Sequence, residues 1–91
     1  MDEQQKKALT KNMTDNLPTL RKKLNMSQQA LADTIGISRS TLTSIEGGKR
    51  PMTWSLFLSL ILVFIKHKET DRLLNVMEIY TEDLNTFIKG R

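Results

Sequence analysis

The chain reads as an all-α protein, and three observations predict it. Met13, Leu17, Leu20 and Leu24 recur at i, i+4, i+7 and i+11, one face of a helix. Ser27, Ser38 and Thr53 each stand where a side-chain oxygen can cap a helix, and Gly36, Gly47 and Gly48 stand where one would end. No stretch sustains a period of two, so no sheet is expected. The expected architecture is a compact five-helix domain whose last helix is extended.

The elements follow in order. Residues 1–14 are polar, with Leu9 and Met13 as their strong apolar anchors, and read as an arm or a short helix. The next helix is expected to start near Asp15 or Asn16, because Pro18 fits best in a first turn. It ends near Asn25. Ser27 caps "QQALADTI", with Ala30 where a capping box would place Glu or Gln. Gly36 supplies a left-handed turn residue, and Ser38 caps "RSTLTSIE". Pro51 prevents continuation, Thr53 opens a fourth helix toward Lys66, and a fifth runs from near Thr70 to about Ile88. The chain thus divides into residues 1–14, a central unit at 15–68 and a C-terminal helix at 69–91.

Ninety-one residues fit one domain, and 38% hydrophobic content suits a helical core better than a large enclosed active site. With no cysteine, disulfides and thiolate chemistry are excluded, which fits a reducing cytoplasm. His67 is the single histidine, and no nucleophile–base pair or metal-ligand spacing accompanies it. No enzyme activity, cofactor or small-molecule ligand is therefore expected. The N-terminus has no apolar signal segment. The apolar run from Trp54 to Ile65 falls short of the roughly 20 residues a membrane span needs, so it reads as a buried helix.

Charge is unevenly placed. Of the net +4, residues 16–68 contribute eight Lys/Arg against only Asp33 and Glu46, while residues 69–91 carry an excess of acid. A basic middle points to a polyanion such as nucleic acid.

The two short helices around Gly36 carry the most information. The first offers Leu31, Ala32 and Ile35 to the interior; the second offers Thr41, Leu42 and Ile45. A connection this short forces a steep crossing, where one contact residue must be small, and Ala32 meets that need. This is a helix-turn-helix. With Leu42 and Ile45 inward, Arg39, Ser40, Thr43 and Ser44 point outward, a slim polar face that a major groove admits. Arg39, at the helix start, can read guanine O6 and N7, whereas the hydroxyls can donate or accept and so discriminate weakly. In an arbitrary helix the same Arg would be a solvated charge.

The stretch "MSQQALADTIGISRSTLTSIEGGKRP", with the preceding "LRK", resembles the phage repressor/Cro type of helix-turn-helix, the XRE family. The resemblance spans about residues 16–65. It implies a five-helix, repressor-like domain that binds double-stranded operator DNA as a homodimer and regulates transcription. It also implies phosphate contacts by Gln28, Gln29, Lys49 and Arg50, base contacts by Arg39, Ser40, Thr43 and Ser44, and a structural ion pair between Arg21 and Glu46. Lys49 and Arg50 would equally complement the negative end of the preceding helix.

The fourth helix is apolar on most sides and must be covered on most sides. Leu73, Met77, Tyr80, Leu84 and Phe87 follow a short 4-3-4-3 seam; its first four residues, with Leu58, Leu62 and Ile65 on one face of the fourth helix, are expected to form a dimer or partner interface. That seam can also fold back on the fourth helix. Two functions compete: a palindrome-binding regulator, and an interaction module, antitoxin-like, whose apolar C-terminal helices hold a protein partner.

Overall fold

Asp2 opens the first helix of the computed structural model, which describes residues 1–90. Its carboxylate accepts from the Gln5 N–H at 2.8 Å while the Gln5 side chain accepts from the Asp2 N–H at 3.0 Å, a reciprocal cap. From there α1 runs unbroken over Glu3–Lys23. The described residues contain five further helices and no strand: α2 (Gln28–Ile35), α3 (Arg39–Glu46), α4 (Trp54–Ile65), α5 (Lys68–Val76) and α6 (Glu82–Lys89).

The expected start near Asp15 is therefore corrected: Pro18 lies inside α1. An interior proline costs about 3 kcal/mol through its missing N–H and its ring. Continuing the helix ahead of it buries Leu9 and Met13, each worth roughly 1.5–3 kcal/mol, which offsets that cost. Leu9, Met13, Leu17 and Leu20 form one buried stripe, and α1 packs through it against α3, α4 and α5.

The single fifth helix expected over residues 70–88 is two helices. Glu78 adopts φ 57°, and the N–H groups of Ile79 and Tyr80 both return to the Leu74 carbonyl, closing α5. Thr81 then caps α6 by accepting from the Leu84 N–H at 3.2 Å. The Asn12 side chain donates to the Glu78 carbonyl at 3.1 Å, fixing the turn to α1. The turn lets Ile79 enter the same buried cluster as Leu74 and Leu84, so the 4-3-4-3 seam is not a continuous stripe.

Around α4 the buried face is Phe57, Leu60, Ile61 and Phe64. Its C-terminal end is closed by Thr70, fully buried, whose hydroxyl donates to the Phe64 carbonyl at 2.6 Å. At its other end Trp54 stacks on Phe57 at 4.8 Å and meets the edge of Phe87 at 5.8 Å, with the Lys6 ammonium 5.4 Å from the indole ring centre. No helix among the described residues is long and apolar enough to cross a membrane.

Candidate nucleic-acid interface

Gly36 turns the chain between α2 and α3. It takes φ 80°, where any other L-residue is strained, and both its N–H and that of Ile37 return to the Ala32 carbonyl. Ala32 is fully buried, as the steep crossing requires. Ser27 and Ser38 cap the two helices by accepting from the N–H groups of Ala30 and Thr41. Leu42 and Ile45 hold α3 on the core, which turns its other side outward.

On that side Arg39, Ser40, Thr43 and Ser44 lie together on one open, shallow face. All four base-reader candidates are thus neighbours. Arg39, Ser40 and Thr43 are exposed, and Ser44 is half-buried. Arg39 is the first residue of α3, and no acid stands in that helix's first turn. Among the described residues Arg39, Lys49 and Arg50 form no ion pair. After α3 the chain turns through Gly48 at φ 76°, and the N–H groups of Lys49 and Arg50 both bond to the Ser44 carbonyl. That pins the two cations beside the end of α3.

Arg21 and Glu46 meet in two parallel bonds, Nε to Oε2 at 2.9 Å and Nη2 to Oε1 at 3.1 Å. Their side chains keep only 11% and 6% of their exposure. Arg21 Nη1 also donates to the Met26 carbonyl at 3.0 Å, so one guanidinium ties the end of α1 to the chain entering α2 and to the last residue of α3.

The two glutamines behave differently from one another. Gln28 donates from Nε2 to Glu46 at 3.0 Å and accepts from the Thr43 hydroxyl at 2.8 Å. Its amide retains one N–H, and the backbone N–H groups of the first turn of α2 lack intrahelical partners. The Gln29 side chain bends along its own helix to Asp33 at 2.8 Å, which leaves its backbone N–H and one amide N–H for an anion.

Sequence reasoning missed two links here. The bond from Thr43 to Gln28 crosses between helices, and a sequence shows no such pairing. Thr41, expected inward, keeps its hydroxyl in contact with Ser38 at 2.9 Å and with Arg50 at 3.5 Å. The signal available was a Ser cap with Thr three residues on.

The expected apolar interface separates into two groups. Leu62 stays 62% exposed and Ile65 36%, while Leu58, Leu73, Met77 and Tyr80 are half-buried. Leu84 is corrected: it is fully buried in the protomer's own core, because the turn before α6 brings it into the same buried cluster as Leu74 and Ile79.

Neither the curated proteins nor the solved structures gave a match to this chain. Residues 19–53 match the family described as Helix-turn-helix. The matched segment runs from the last turn of α1 to the cap of α4, so it holds α2, the Gly36 turn, α3 and both members of the ion pair. Residues 19–53 therefore carry a helix-turn-helix domain, and the match supports a DNA-binding transcriptional regulator in general.

Proposed function

We propose that the protein is a cytoplasmic repressor that binds a palindromic operator as a homodimer, with α3 of each copy in a major groove. Arg39, Ser40, Thr43 and Ser44 face base edges; Gln28, Gln29, Lys49 and Arg50 hold the flanking phosphates. The observation that carries the reading is the open face shared by the four α3 side chains, flanked by cations that have no acidic partner among the described residues. Arg39 adds weight. A cation at a helix N-terminus is disfavoured by the dipole, and a polyanion laid against that end removes the penalty.

In this reading the front of the 15–68 unit, α2, α3 and the turn after α3, faces DNA, while α4 and the helices after it complete the core and join the second copy. The second copy docks on the uncovered face of α4, at Leu62 and Ile65, with Leu58, Leu73, Met77 and Tyr80 around them. Half-sites then lie about 34 Å apart, one helical turn. A protein partner on the same face is the second reading, favoured by Val76, which is 79% exposed near the end of α5.

The test is selection of bound sites from a random duplex pool with wild type and Arg39→Ala, at two salt concentrations. A palindromic motif whose guanine preference relaxes in Arg39→Ala, bound less tightly at higher salt, supports the reading. No enriched motif for the wild type overturns it.

A further inference from the structure

The bond between Thr43 and Gln28 does more than tether two helices. It fixes which way a base-facing hydroxyl is polarised. Glu46 is a carboxylate gripped by the Arg21 guanidinium, so its oxygens only accept. Gln28 approaches Glu46 Oε1 at 3.0 Å, and only the amide nitrogen can occupy that position; the flipped amide would set oxygen against oxygen. The Gln28 carbonyl oxygen is thereby turned to Thr43. At 2.8 Å from Thr43 Oγ1 it too can only accept, so the hydroxyl proton belongs to this bond. A threonine hydroxyl has one proton and two lone pairs. With the proton committed inward, Thr43 offers outward only lone pairs and its methyl group.

We infer that Thr43 reads the major groove as an acceptor only. It therefore selects a base that presents an exocyclic amine there, the adenine N6 or cytosine N4 group, over one presenting O6 of guanine or O4 of thymine. Gln28 is the positioning residue, and the Arg21–Glu46 pair sets its orientation. The inference rests on α3 entering the major groove. It departs from the ordinary expectation that an exposed hydroxyl reads bases indifferently, because here a buried ion pair two bonds away decides the polarity.

The experiment is the same duplex selection, run with wild type, Thr43→Ser, Thr43→Val and Gln28→Lys, each first checked for an unchanged helical signal and cooperative melting. The position read by Thr43 is the one whose preference changes in Thr43→Val, which keeps the shape and loses the oxygen. There the wild type and Thr43→Ser should favour adenine or cytosine about 3- to 10-fold over guanine or thymine, the range of one net hydrogen bond. In Thr43→Val that preference should fall to within about twofold, as the acceptor is gone. In Gln28→Lys the introduced ammonium can still pair with Glu46 but donates toward Thr43. The preference for amino bases should then vanish or reverse while the other positions of the motif keep theirs. A merely structural role for Gln28 would weaken binding at all positions alike. The inference is overturned if no position responds to Thr43→Val, if the responding position favours guanine or thymine in the wild type, or if Gln28→Lys, once folded, leaves the preference intact. Absence of any motif overturns the regulator reading itself, whereas these three outcomes leave that reading standing.

Discussion

Arg21, in the last turn of α1, holds Glu46, the last residue of α3, through two bonds of 2.9 and 3.1 Å. The recognition helix is eight residues long, too short to be stable alone, so its orientation depends on what grips its ends. Ser38 fixes one end and Arg21 the other.

Removing one partner strands the other in a site where it keeps little contact with water. Arg21→Met is expected to destabilise the fold by about 3 kcal/mol, since breaking a buried pair costs roughly 3–5 kcal/mol and this one is slightly open to solvent. Urea unfolding measures it, and a loss below about 1 kcal/mol would show the pair to be a surface one in energetic terms.

Lys49 and Arg50 lie beyond α3 with no acidic partner among the described residues, held by the Ser44 carbonyl. Lys49→Ala and Arg50→Ala should each weaken binding to specific and random duplexes about equally. Each should reduce the slope of log affinity against log salt by about 1, as the loss of one phosphate contact does. A change in base preference with no change in slope would assign them a different role.

Leu62 is 62% exposed on a helix whose only polar residues are Ser55 and Ser59. Leu62→Glu should leave the melting temperature within a few degrees of wild type, because nothing in the protomer's core depends on that side chain. If the second copy docks there, sedimentation should show the variant shifting from dimer to monomer, with operator affinity falling at least tenfold. An unchanged mass would move the dimer contact off this face.

Pro18 interrupts the hydrogen-bond ladder of α1 without ending the helix. Pro18→Ala restores one backbone donor and relieves the ring, at the expense of a more flexible unfolded chain. A net gain of about 1–2 kcal/mol is expected in thermal or urea unfolding. A net loss would mean that the ring's own packing outweighs the ladder.

The helix-turn-helix was legible because its signals are local. Ser27, Gly36, Ser38 and Gly48 each act within a few residues of themselves, and Ala32, Leu42 and Ile45 announce the inner faces by spacing alone. The two departures have causes that lie far along the chain. Pro18 states a local cost that the burial of Leu9 and Met13 overrides from elsewhere in the fold. Glu78 is an ordinary residue made to take φ 57° by Asn12 and the core demand for Ile79, with no Gly or Pro to mark the turn. Thr81 followed by Glu82 and Asp83 was the readable start of α6, a cap and an acidic first turn. Interhelical polar links such as Thr43 to Gln28 have no sequence period at all.

The partners of α1 also set an order of assembly. Arg21 and Glu46 are 25 positions apart, whereas Gln5 reaches Asp83 across 78. A ribosome adding about 5–20 residues per second makes Asp83 roughly 4–16 s after Gln5. The turns of α1 ahead of Pro18 wait through that interval for Asn12 to find Glu78 and for Leu84 to arrive, while the last residues of α1, behind Pro18, can already close on α3 through Arg21 and Glu46. The nascent chain completes its helix-turn-helix first and acquires the covering of its earliest turns only once residues 78–84 have been made.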